Sequence, residues 1–235
     1  MENNNEPQIE ITTEEVVVEK KPTLNIASAI VIAGLIIAGA ILFNRDSASG
    51  KGSTTEDKLD LVSSVSDNDL IRGNKNAPIT IIEYADFSCH YCAQYHDTLK
   101  KLITDEEKKV RWVYRNLPIF NPEAAIAGEC VGKLAGDDAF WDFSDKLYAN
   151  QDKFNTDYYL ATAQLEGVSA TAFNACVADP LLKNKLQQDF TQARVLLGFN
   201  ATPHTIIIDK KGRKFSFAGA LSYDELKATV DGLEE

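Results

Sequence analysis

Positive charge is scarce in this 235-residue chain: 24 Lys and Arg stand against 35 Asp and Glu, a net charge of −11. No basic stripe with interleaved aromatics occurs in it, which argues against nucleic acid as a partner. The acids are spread along the chain and favour solubility rather than any one fold. Cysteine is sparse as well. There are four, Cys89, Cys92, Cys130 and Cys176, and only the first two lie close together. A structural zinc ion takes four ligands, so the lack of a second close pair leaves Cys89 and Cys92 as half a zinc site at most. What the chain does hold is 44% apolar residues, enough for one good-sized core or two small ones.

Charge is missing altogether from Leu24 to Phe43, where Ile, Ala, Leu, Val and Gly dominate. Twenty residues at about 1.5 Å of rise span roughly 30 Å, the hydrocarbon thickness of a bilayer. The run predicts one transmembrane helix over 24–43, in contact with lipid. A buried globular helix rarely runs so long without a polar face. A cleavable signal peptide, cut near Ser47–Ala48–Ser49, is the alternative. The apolar run exceeds the usual signal length, and a 23-residue acidic, Asn-rich tail precedes it, so an uncleaved anchor is expected. Lys20 and Lys21 before the span are balanced by Arg45, Lys51 and Lys58 after it, so basic residues do not orient it.

Residues 44–69, rich in Ser, Asp, Gly and Lys, read as a flexible tether with a short helix around Leu59 to Val65. A folded domain is expected over 70–235. Pro78–Ala85 crowds β-branched residues onto both alternation sets, the mark of a central, buried strand. It runs into Asp86-Phe-Ser-Cys89 and a helical stretch with Tyr95, Leu99 and Leu102 on one face. Val110–Arg115 is a second strand. From about 121 to 197 the pattern is helical, opening on the cap pair Asn121–Pro122. Phe140, Trp141, Phe143, Leu147 and Tyr148 supply a core there rather than a ligand site. Thr205–Ile208 and Phe215–Phe217 flank Asp209-Lys-Lys-Gly212, a hairpin turn ending in a left-handed glycine. Ser222–Glu225 has capping-box spacing and opens a last helix. The order β-α-β, helical insertion, β-β-α predicts an α/β fold with a mixed sheet, interrupted by a helical subdomain.

The chemistry sits where the first helix begins. Two cysteines three apart lie on one helix face within bridging reach. Cys89, the N-terminal one, meets unpaired backbone N–H groups and the positive end of the helix dipole. Both lower a thiol's pKa and populate the nucleophilic thiolate. Cys92, one turn in, suits the resolving role: it attacks the mixed disulfide that Cys89 forms with a substrate.

Strand, Phe87-Ser-Cys-His-Tyr-Cys92, helix, helical insertion and then Ala201-Thr-Pro203 before a strand resemble the DsbA-like branch of the thioredoxin superfamily. The resemblance covers roughly Ile71 to the C-terminus. Cys-x-x-Cys alone is weak; joined to a Thr-Pro over a hundred residues later it is specific. The family implies an extracytoplasmic enzyme without bound cofactor that oxidises, isomerises or reduces cysteine pairs in exported proteins. It matches Pro203 to a cis-proline opposite the cysteines, and Thr202 to a residue that helps hold the substrate strand. The bland alternative is an ordinary strand-entry proline. Glu83 falls where relatives keep a buried acid, whose raised pKa would let it relay the Cys92 proton. Otherwise it is a strand Glu that reaches solvent or pairs with a Lys. His90 and Tyr91 between the cysteines depart from the better-known members, which place proline or glycine first. Protonated, His90 would stabilise the Cys89 thiolate; exposed, it and Tyr91 would contact substrate. His96 and His204 read as incidental, although His204 adjoins Pro203. Similar members carry cysteines at the places of Cys130 and Cys176. Paired, these would form a structural disulfide worth roughly 4 kcal/mol; unpaired, they would pack as small hydrophobes.

The resulting expectation is a single-pass protein of the cytoplasmic membrane. Its tail 1–23 is cytoplasmic and its catalytic domain extracytoplasmic, in an oxidising compartment. It would oxidise thiols of exported proteins, and a quinone-coupled membrane oxidase would reset the pair. The tether has little room for the dimerisation domain of an isomerase, so oxidase leads isomerase and reductase. A non-catalytic anchored chaperone or metal-binding module is the reading from another class.

Overall fold

Ile79–Ala85 is buried along its whole length, and a strand covered on both faces has to lie at the centre of a sheet. The computed structural model describes residues 58–233. It places this strand, β2, third in a five-stranded sheet of order β1-β3-β2-β4-β5. The others are β1 (Leu70–Gly73), β3 (Val110–Asn116), β4 (His204–Ile208) and β5 (Lys214–Ala218). β2 and β3 run parallel; β1 on β3, β4 on β2 and β5 on β4 are antiparallel. The mixed sheet matches expectation except for β1, a short edge strand added before the β-α-β unit.

Between β2 and β3 lies α1 (His90–Asp105), which buries Cys92, Tyr95, His96, Leu99, Leu102 and Ile103. That i, i+3, i+4, i+7 stripe faces the sheet. After β3 come α2 (Pro122–Ala135), α3 (Asp137–Tyr148), α4 (Thr156–Leu165), α5 (Ala170–Ala178), α6 (Pro180–Thr191) and a π-helical segment, Gln192–Leu196. The observed insertion therefore ends within a residue of the expected 121–197. Asn121 caps α2, its side chain accepting from Ala124 N with Pro122 in the first turn. α7 (Tyr223–Gly232) opens on a complete capping box between Ser222 and Glu225. Gly212, at φ +80°, closes the β4–β5 turn.

The larger core gathers Ile81, Ala85, Trp112, Tyr114 and Ile207 with α1, α7 and the inserted helices. A smaller one covers the opposite face, where Leu59, Val62, Ala193, Leu197 and Phe199 lie on Ile82, Val113 and Ile206. Residues 58–69, read from sequence as the end of the tether, thus contribute to that second layer. Lys214 Nζ fastens them by donating to the carbonyls of Leu59 (3.0 Å) and Val62 (3.4 Å). Among the described residues no helix is long and apolar enough to cross a membrane. The expected span at 24–43 lies outside those residues.

Candidate active site

β2 ends in a loop whose shape Asp86 dictates. Its Oδ1 accepts from Ser88 N (2.7 Å), its Oδ2 from Phe120 N (2.6 Å), and its carbonyl from Cys89 N (3.0 Å). The loop delivers Cys89 to the N-cap of α1 in extended conformation, and its side chain makes no capping bond. Cys92 follows one turn later, fully buried. Both are free thiols, so the structure is that of the dithiol form.

The environments of the two sulfurs split their acidities. A hydrogen bond from the Cys92 thiol, opposed by burial and aided by the N–H groups of Cys92 and Tyr91, lowers Cys89 to about 6. Burial, together with the proton shared with Cys89 and the nearby Glu83, pushes Cys92 far above the ordinary thiol range. At pH 7 the first is mainly thiolate and the second is a thiol.

Thr202 and Pro203 lie against this pair. The bond between them is cis, and the Thr202 carbonyl lies 3.3 Å from Cys89 Sγ, where it accepts only while Cys89 is protonated. The Thr202 hydroxyl is buried without a partner. His90 and Tyr91 point outward: Tyr91 is 64% exposed, and His90 Nε2 lies 3.0 Å from the amide of Gln94.

Glu83 shares the α1-facing side of β2 with Ile81 and Ala85, so alternation carries its carboxyl into the core behind the cysteines. It reaches neither solvent nor a lysine. Trp112 Nε1 donates to Oε2 at 3.2 Å, and Oε1 has no partner. Burial pushes its pKa up to about 8, so it carries its proton at neutral pH. Tyr114 and Tyr148 lie alongside with their hydroxyls paired at 3.2 Å.

His204 does not join the site. It is on the opposite face of β4, stacked on Phe199 at 3.7 Å, and burial lowers it to about 4. Alternation decides this: Thr205, one residue on, is the one that faces α1 and donates to Tyr95 Oη at 3.0 Å. His96 proves structural rather than incidental. Its Nε2 donates to Asp145 Oδ1 at 2.6 Å, and Asp145 also accepts from Arg72 (3.1 Å) and Lys100 (2.7 Å). Cys130 of α2 and Cys176 of α5 form a disulfide. No group of three or more His, Cys, Asp or Glu among the described residues is arranged to hold a metal ion.

Asp86 and Gln151 were not singled out in the sequence. Gln151, in the 3₁₀ turn after α3, donates through Nε2 to Phe87 O (2.7 Å) and Cys89 O (3.0 Å). A polar residue in a loop carries no sequence signal for such a contact.

A family model described as Thioredoxin matches residues 65–232. The chain belongs to the thioredoxin family. Within the thioredoxin family it is a DsbA-like member. The thiol-disulfide exchange protein alpha-DsbA2 of Wolbachia pipientis superposes with a TM-score of 0.64 at 25% identity, over 76% of this chain and 95% of that one. Disulfide bond formation protein D of Bacillus subtilis is 26% identical over 174 residues, 68% of this chain and 75% of that protein. A Na(+)/H(+) antiporter, NhaA 3 of Salinispora tropica, is 34% identical over 166 residues. That match takes in 70% of this chain but spans only about a quarter of the antiporter's length (24%).

Proposed function

We propose that this chain is an extracytoplasmic protein thiol–disulfide oxidoreductase, acting as an oxidase on the thiols of exported proteins. The observation that carries the reading is the arrangement of the pair: Cys89 at the N-cap of α1 against the cis Thr202–Pro203 bond, with Cys92 fully buried one turn behind it and the buried Glu83 carboxyl on the same side of the sheet. In the working direction the oxidised pair meets a substrate thiolate. That thiolate attacks Cys89 Sγ, the Cys89–Cys92 bond breaks, and Cys92 takes the electron pair and a proton that Glu83 supplies. A second substrate thiolate attacks the substrate sulfur of the mixed disulfide and expels Cys89 as its stable thiolate. The substrate loses two electrons and the chain gains them. A low-pKa leaving thiolate stabilises the reduced state and so favours oxidation of the substrate.

Thr202 and Pro203 offer an adjoining backbone on which an extended substrate segment lies, with His90 and Tyr91 at its rim. The electrons pass on to a membrane redox partner of the quinone-coupled oxidase class. An anchor at 24–43 would hold the chain near that partner and raise its effective concentration. The name of the Bacillus relative, a disulfide bond formation protein, supports the same direction.

The test is the equilibrium of the full chain, in mild detergent, with glutathione, following the two cysteine pairs separately by mass spectrometry. Cys89–Cys92 should be reduced in weakly reducing buffer that leaves Cys130–Cys176 intact. A Cys89–Cys92 disulfide that survives strongly reducing buffer would make the chain a reductase. A pair that never forms a disulfide, or that purifies with zinc, would end the oxidoreductase reading.

A further inference from the structure

Cysteine is a poor N-cap, since helix starts are normally held by a side-chain oxygen that accepts from the first turn. Cys89 nevertheless occupies that position at φ −79° and ψ 119° and makes no cap bond of its own. Its conformation must therefore be imposed from outside. On one side Asp86 holds the N–H groups of Ser88 and Cys89 through its carboxylate and its carbonyl. On the other side Gln151, from the helical subdomain, donates to the carbonyls of Phe87 and Cys89, the two that flank Ser88. The Cys89 carbonyl also accepts from Ala93 N at 3.2 Å, the first bond of α1, so Gln151 shares an acceptor with the helix itself.

We infer that Gln151 is a positioning residue: it fixes the Cys89 carbonyl and thereby the angle at which the sulfur meets the first turn of α1. The inference rests on the exchange chemistry proposed above. The N–H groups of Tyr91 and Cys92 that help stabilise the thiolate belong to that turn. Their aim at the sulfur depends on how the N-cap residue is held, and an amide donor on its carbonyl is the outside hold that the insertion supplies. The helical subdomain thus sets the reactivity of a cysteine that belongs to the sheet-and-helix unit.

The experiment compares the full chain with Gln151→Met, which loses the donor, and Gln151→Glu, which replaces it with an acceptor. Thr162→Val is the control. It removes the bond from Thr162 Oγ1 to Tyr158 O (2.7 Å) inside α4 without touching the active-site loop. Thiolate absorbance against pH reads the Cys89 titration, and the glutathione equilibrium reads the pair. One net hydrogen bond corresponds to a factor of about five. Gln151→Met should therefore move the glutathione equilibrium at least about fivefold toward the disulfide and shift the Cys89 titration upward. Gln151→Glu should do so further, because its carboxylate repels the thiolate. Should Gln151→Glu fail to fold, Gln151→Met decides alone. Values within twofold of the unmodified chain would overturn the inference, and so would an equal shift in Thr162→Val. A failure of the functional proposal would show differently, as an unmodified chain that never equilibrates with glutathione.

Discussion

Glu83→Gln is the substitution whose outcome the structure determines most closely. The native carboxyl keeps its proton up to about pH 8, whereas in the unfolded chain it ionises near 4.5. Between those values the unfolded state binds fewer protons than the native state, so native stability falls as pH rises. The shift is about 3.5 units, and at 1.36 kcal/mol per unit it corresponds to about 4 to 5 kcal/mol for this fully buried group. Glutamine has the same shape and still accepts from Trp112, but it does not titrate. Urea unfolding of the oxidised form, in which neither Cys89 nor Cys92 titrates, isolates the effect. The variant should match the natural chain near pH 4 and exceed it by about 4 kcal/mol at pH 8. Parallel curves over that range would refute the burial argument. The gain should come with a loss of turnover: without the Glu83 proton for the departing Cys92, mixed disulfides at pH 7 should form about a hundredfold more slowly.

Removing the disulfide with Cys130→Ala and Cys176→Ala opens a crosslink over 46 residues. The chain-entropy model gives a loss of about 4 kcal/mol, read from the urea midpoint, and the Cys89–Cys92 equilibrium should not move. Asp145 is a second sensitive point. Burial opposes its ionisation, but the bonds from His96, Arg72 and Lys100 prevail and hold its carboxyl well below the usual range. Asp145→Asn should cost about 2 kcal/mol at pH 7, discounted because the side chain is 24% exposed. That contribution is fully present above the unfolded carboxylate value near 4. It should fade as pH falls below it, so the unfolding curves of the two proteins converge in acid.

The elements that could be read from sequence are those whose signal is local. The β-branched run of β2, the α1 stripe, the Asn121–Pro122 and Ser222–Glu225 caps and the Gly212 turn each declare themselves within a few residues. β1 does not: four residues at a sheet edge, with no alternation to show, exist because β3 pairs with them forty residues on. The site divides in the same way. Cys89, Cys92 and the Thr202–Pro203 pair stand out by spacing, and Glu83 by a charge in an apolar strand. Gln151 and Asp145 act across 62 and 49 residues on backbone and side chains that no pattern links to them. His204 adjoins Pro203 along the chain, yet strand alternation turns it to the face of β4 away from Cys89.

The insertion leaves the sheet at the end of β3 and re-enters it at the start of β4, both at the end that carries Cys89. Its length is therefore a free parameter of the sheet. Helices can be added or lost between those two points without shifting a strand's register. Each such change, however, rebuilds the wall beside the reactive sulfur. In this topology the part most open to evolutionary variation and the part that tunes the chemistry are the same, and one scaffold can yield thiols of different temper by editing a region that contains neither of them.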